Sequence, residues 1–318
     1  MTINIKSIIV AILLILTAAF VSVAFPLATY TLTLASFGLA HVLTELSYVD
    51  SRFNKRLNID LRKKIVILLL AIVNLRILQV FDALTSWISI PLELICVIGL
   101  VTVVIPTLKA KDWKLEMLAI ALCLILWAGI FWIPILMMLA FAVLHNITPV
   151  GFIAEKLRGV RRKLALNACF IVFALIPAII LSGYPYNFLS DLNLVAPSAS
   201  ILQAGNLQLH LGAFIPQQLH RSAIAQNAFS AAVFLQCMHY AIVLGVFPKW
   251  DKTRPKLFNT IVILFSTLIF IYFTQSFSDA RKLYSIVAAI HAWVEIPILL
   301  LALAIPSEDK IIITEIDK

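Results

Sequence analysis

His41 lies eleven residues before Arg52, the first cation after its apolar segment, and His145 lies eleven residues before Lys156. His239 lies ten residues before Lys249, and His291 sits inside the last apolar segment with Glu295 one helical turn further on. Ionisable side chains within a bilayer are costly and mark functional sites by default. Four histidines near a common depth therefore read as one site. Three or four imidazoles suit iron, zinc or copper, whereas magnesium and calcium prefer oxygen ligands. His41 and Glu45 are spaced i, i+4, so both point from one helix face, and His291 and Glu295 repeat that spacing. A ligand histidine commonly passes its second N–H to a carboxylate, which fixes the tautomer and raises its basicity. Glu45, Glu295 and Glu93 are the candidate catalytic carboxylates for that orienting role, and direct ligation at a two-metal centre is the alternative.

A histidine in a membrane helix is often only an interhelical hydrogen-bond donor, and that is the reading against which the site is weighed. His210 and His220 are ten residues apart, match no metal spacing and are expected on the surface. Asp50 is expected to pair with Arg52 or Arg56 at the inner end of its segment. Pro149, in HNITP after His145, is expected to loosen the helix just below that histidine and free backbone groups near the site. Tyr240 points away from its neighbour His239 and is expected to pack as an aromatic.

The elements that must hold these residues are membrane helices. The 318 residues are 62% hydrophobic and only 13% charged, and the mean hydropathy is +1.02. Soluble domains carry roughly 25% charged residues. Ten apolar segments are expected at 7–25, 28–49, 64–81, 84–107, 115–132, 134–154, 163–183, 226–247, 257–278 and 283–305. The fold class is all-α, a polytopic bundle of about ten transmembrane helices arranged as hairpins in a single integral membrane domain. Pro26 and Pro134 mark the two tightest hairpins. An N-terminal apolar run after Lys6 resembles a signal peptide in outline, but nine more segments follow, so it is read as an uncleaved first helix. Cys96, Cys123, Cys169 and Cys237 all fall in apolar segments, form no C-x-x-C pair and read as small buried hydrophobes.

The net charge of +9 does not indicate a nucleic-acid partner, because the cations cluster between segments. Arg52, Lys55, Arg56, Arg62, Lys63 and Lys64 follow the second segment, and Lys109, Lys111 and Lys114 follow the fourth. Lys156, Arg158, Arg161, Arg162 and Lys163 follow the sixth, and Lys249, Lys252, Arg254 and Lys256 follow the eighth. The opposite-side loops hold mainly Arg76, Arg221, Arg281 and Lys282. By the positive-inside rule both termini are cytoplasmic and the even segments all run inward. The histidines lie on four of those even segments, and Glu93 lies near mid-depth on the fifth. The even segments are thus expected to line a core. The connection 184–225 is expected to be an extracytoplasmic loop, with a short interfacial helix as the alternative.

Several chemistries lack their signals: the chain has no H-x-x-H-H histidine box, P-loop, G-x-G-x-x-G, G-x-S-x-G or H-E-x-x-H. Paired halves with broken helices, as in transporters, are not evident. The layout of single histidines on separate membrane helices resembles the bacteriorhodopsin-related (Brp/Blh) family of membrane β-carotene-cleaving dioxygenases. FAVLH, ending at His145, is similar to that family's aromatic-rich histidine segment. FGLAHVLTELSYVD, with His41 and Asp50, is similar to its first histidine motif, although that family has glycine and a close aspartate where Val42 follows His41 here. The resemblance implies a non-haem iron held by His41, His145, His239 and His291, and a polyene or other isoprenoid lipid as substrate. The expectation is a membrane-embedded non-haem iron oxygenase acting on a lipophilic small molecule taken from the lipid bilayer. A haem- or pigment-binding protein with the same histidines as axial ligands is one alternative. A membrane assembly protein with structural histidines is the other.

Overall fold

The computed structural model describes residues 5–53, 57–212, 220, 222–251 and 255–304. The cations Lys55, Arg56, Arg221, Lys252 and Arg254, and the stretch 213–219 of the long connection, lie outside the described residues. Every regular element among the described residues is a helix, and the protein is an all-α, multi-pass membrane protein. Among the described residues, seven helices are long and apolar enough to cross a membrane, or eight if one bent pair counts as a single span. Two of the ten expected spans stand outside that count: α1 (Ile5–Ala24), which is apolar from Ile8 to Ala24, and α3 (Ile59–Val80), which carries Arg62, Lys63, Lys64 and Arg76.

The chain forms two compact units. The first comprises Met1–Thr44, Leu157–Trp250 and Arg254–Arg281. It contains α1 and the first part of α2 (Pro26–Phe53), separated by the single residue Phe25 before Pro26. α9 (Gly159–Phe170) runs through a π turn at Ile171–Leu175 into α10 (Ile176–Leu181). Pro177 has no N–H to continue the α pattern, and the helix widens just before it. Gly183, at φ +80°, closes α10 in the left-handed region, where a side chain would also meet Asn227. Two short helices follow, α11 (Tyr184–Asp191) and α12 (Leu207–Gly212), so the connection is partly helical. Ser222 caps α13 (Ala223–Gly245), which packs on α1 and α10 through Phe234, Val233 and their neighbours. The short α14 (Phe247–Trp250), α15 (Lys256–Gln275) and the start of α16 (Phe277–Ala304) complete the unit.

The second unit comprises Glu45–Lys156, Asp251–Thr253 and Lys282–Lys318. Asn58 caps α3 by accepting from Leu61 N at 2.7 Å, so the helix begins before the lysines expected to precede it. The aliphatic stems of such cations lie along the helix while their heads reach water. α4 (Ser86–Thr102) packs against α3, α6 (Trp113–Trp132) and α7 (Pro134–His145). The expected fourth segment breaks before α5 (Ile105–Lys109), where Pro106 starts a new turn. The expected sixth segment breaks at Asn146–Ile147, and α8 (Thr148–Lys156) leaves α7 at 40°. Pro149 places that break one residue past the histidine that ends α7, as its position in HNITP suggested.

Burial separates the helices by parity. The apolar windows of Pro26–Phe53, Ser86–Lys109, Ala223–Trp250 and Phe277–Ala304 are 44%, 44%, 50% and 56% buried. Those of Trp113–Trp132, Gly159–Leu181 and Leu257–Gln275 are only 17%, 22% and 11% buried. The inner helices are those that carry His41, Glu93, His239 and His291, and the outer ones carry aliphatic residues for lipid contact.

Candidate metal centre

In the first unit, α2 presents His41 and α13 presents His239, both buried. The rings meet edge to face with centroids 5.2 Å apart. His41 Nδ1 lies 3.3 Å from the Phe37 carbonyl one turn back on its own helix. A proton on Nδ1 donated to that carbonyl leaves Nε2 as a lone pair. Tyr240 stacks on His41 at 4.1 Å, which fixes the plane of the imidazole. Its sequence position alone gave only a general packing role.

In the second unit, His145 is the last residue of α7 and His291 lies midway along α16. His145 Nδ1 is 2.8 Å from Glu295 Oε2, and Glu295 is fully buried. The Nδ1–H donates to the carboxylate, so Nε2 of His145 carries the lone pair. That nitrogen faces Nε2 of His291 at 2.9 Å. Glu45, also fully buried, lies one turn after His41 on α2. Thr148 donates its hydroxyl to the His145 carbonyl at 2.7 Å, which ties off the helix end that carries the imidazole.

Within the second unit, one ligand atom from each of Glu45, His145 and His291 lies within 4.8 Å of the other two, and within the first unit His41 and His239 are equally close to each other. This is a histidine cluster able to bind a metal. The 2.9 Å between the two Nε2 atoms of His145 and His291 is also the distance set by two metal–nitrogen bonds of about 2.0–2.1 Å at a right angle. No cysteine belongs to the group, so the donor set is imidazole and carboxylate. Among the candidates from sequence, Glu45, His145 and His291 come together in the second unit with Glu295 behind His145, and His41 pairs with His239 in the first.

Glu93 is placed elsewhere. Its buried carboxylate accepts from Arg76 Nη2 at 2.8 Å and from the indole N–H of Trp293 at 2.7 Å. Arg76 Nε lies 2.7 Å from its second oxygen. Arg76 was counted as a loop cation, and it is instead inside α3. The missed signal was an arginine within an apolar run, which needs an anion at the same depth. Trp293, between His291 and Glu295, was likewise missed, because a tryptophan in an apolar helix has no distinguishing spacing.

The other expectations divide. His210 is buried rather than on the surface, with Nε2 2.7 Å from the Ala204 carbonyl. Tyr30 and Phe277 enclose the ring, each with a centroid 5.5 Å away. Arg52 turns to Glu155, at 3.1 Å, rather than to Asp50. The long Arg52 side chain reaches a buried carboxylate that sequence separation concealed.

No family model, curated protein or solved structure matches the chain.

Proposed function

We propose that this protein is a membrane-embedded non-haem iron oxygenase acting on a lipophilic substrate. The convergence of His145, His291 and Glu45 within 4.8 Å in the second unit, beside the buried pair His41 and His239 in the first, carries the reading. His41, His145, His239 and His291 would hold the metal, with Glu45 as a fifth donor. Iron held there would bind and activate dioxygen next to the substrate. The choice of iron and of a polyene or isoprenoid substrate follows the resemblance of FAVLH and FGLAHVLTELSYVD to the Brp/Blh dioxygenases. The chain's own contribution is orientation and charge. Glu295 would hold the Nδ1 proton of His145, and the Phe37 carbonyl would do the same for His41, which would turn Nε2 of each ring to the metal. Burial keeps bulk water from the donors.

A haem reading fits less well. Two axial bonds of about 2.0–2.1 Å on opposite faces of a macrocycle hold their nitrogens about 4 Å apart. His145 and His291 stand closer than that, at 2.9 Å. Metal analysis and an optical spectrum of detergent-purified protein test the proposal together. Colourless protein with stoichiometric iron, and oxygen uptake on adding a polyene, is the expected result. A Soret band favours the haem alternative. Protein without metal refutes the oxygenase and leaves the histidines as helix bridges.

A further inference from the structure

A cavity of about 130 Å³ adjoins His145 in the second unit. Phe141, Ala142 and Leu144 of α7 form one wall, Ala292, Trp293 and Ile296 of α16 form the other, and His145 and Thr148 close one end. Three of these side chains have polar hydrogens, and the structure shows where each hydrogen goes. The Trp293 N–H goes to Glu93 at 2.7 Å. The Thr148 hydroxyl goes to the His145 carbonyl at 2.7 Å. His145 turns Nδ1 to Glu295 and Nε2 to His291. A polar ligand would therefore lose its water hydrogen bonds and gain no side-chain donor in return. Ala142 and Leu144, which line the cavity, are also exposed on α7, a surface suited to hydrocarbon.

We propose that this cavity is a dry binding site for a hydrocarbon group, the apolar end of a substrate that enters sideways from the bilayer. An engineered apolar cavity of ~150 Å³ stays dry and accepts benzene or xenon. The 130 Å³ here accordingly takes a group of about six carbons and not a polar head. The site lies against one of the proposed metal donors, so a group seated in it is held beside the reacting centre. This assignment rests on the oxygenase reading for its catalytic meaning and on the cavity alone for its binding chemistry. Trp293 sets the depth of the cavity, and Glu93 with Arg76 holds the indole in place. The buried ion pair away from the histidines thus acquires a role as a positioning device.

The test uses crystals of the full chain, pressurised with xenon or soaked with bromobenzene. Anomalous peaks bounded by Phe141, His145 and Trp293 are expected in the wild type. Ala292→Leu fills the cavity from α16, and Ala142→Leu fills its mouth from the exposed side. Both should lose the bromobenzene peak, and either variant suffices if the other does not fold. Ordered water in the wild-type cavity, or a bromobenzene peak undiminished by filling, overturns the proposal. Iron content is measured on the same samples. Probe binding without iron sinks the oxygenase reading and leaves the hydrocarbon site standing. Iron with a wet cavity does the reverse.

Discussion

At the scale of single residues, the donors and their supports should separate experimentally. Replacing His145 or His239 by Ala removes one of the proposed imidazole donors, and metal binding should be lost while the protein still inserts. Removing a polar group from an apolar helix favours insertion. Glu45→Gln should be nearly as severe, because its oxygen lies within 4.8 Å of the His145 and His291 donors. Glu295→Gln should cost only about 10–100-fold in metal affinity, the usual effect of losing a residue that supports a ligand. Titration of each purified variant with ferrous iron under anaerobic conditions makes the comparison. Full metal content in the histidine variants would refute the site. The histidines and both of these glutamates were legible in the sequence, because an ionisable side chain in an apolar run has few reasons to be there. Arg76 and His210 were not. The charge rule treats any cation near a segment end as a loop residue, and a histidine in a long connection has no spacing that shows what will cover it.

At the scale of helices, Pro26 and Pro134 mark helix starts as expected, since proline starts a helix well and continues one badly. The break at Asn146–Ile147 was partly legible from Pro149, and the π turn before Pro177 was not, because proline does not reveal how the preceding helix will adjust. Two polar contacts then fix helices that burial alone would leave free to slide. The first joins Arg76 of α3, Glu93 of α4 and Trp293 of α16. Arg76→Met leaves a fully buried carboxylate without its cation and should destabilise by about 3 kcal/mol. The double change with Glu93→Gln should recover much of that loss in reversible detergent unfolding. Additive losses would show that the pair is not coupled. The second contact seats α12. Burial holds the His210 pKa below its ordinary value near 6.5, and Arg281 acts in the same direction against the opposing Ala204 hydrogen bond. The depressed value means that the unfolded state binds the proton first as pH falls. His210 therefore stabilises the fold fully above about pH 6.5, and that contribution disappears as pH drops through the lower folded value. Thermal midpoints measured from pH 8 to pH 5 should fall in the wild type. They should fall less in His210→Gln, and equal slopes would assign the acid sensitivity to other groups.

For the whole molecule, the open quantity is the number of crossings, and it fixes which side each loop occupies. Seven helices, or eight with the bent pair, satisfy length and apolarity by themselves. α1 and α3 decide the rest. α1 exposes Ile9, Leu13, Leu14 and Leu16, a surface suited to lipid and not to water. In α3, Arg62, Lys63 and Lys64 cluster at one end, where their stems can reach the interface, and Arg76 is neutralised by Glu93. Neither set of charges prevents crossing, so ten crossings are expected. An even number returns the chain to its starting side, and the positive-inside rule then predicts that the cation-rich connections lie on the cytoplasmic side. The stretch that contains Arg161 and the one that contains Ser198 are separated by a single crossing, α9 through α10, which is apolar enough to span. Arg161 and Ser198 are both exposed, so Arg161→Cys and Ser198→Cys should leave the fold intact. In intact spheroplasts a membrane-impermeant maleimide should label Ser198→Cys at once and Arg161→Cys only after lysis. The native cysteines lie within helices and supply the background, which the unsubstituted protein measures. Labelling of both positions from the same side would remove the α9–α10 crossing. It would also reverse the orientation of every later helix, including those that carry His239 and His291.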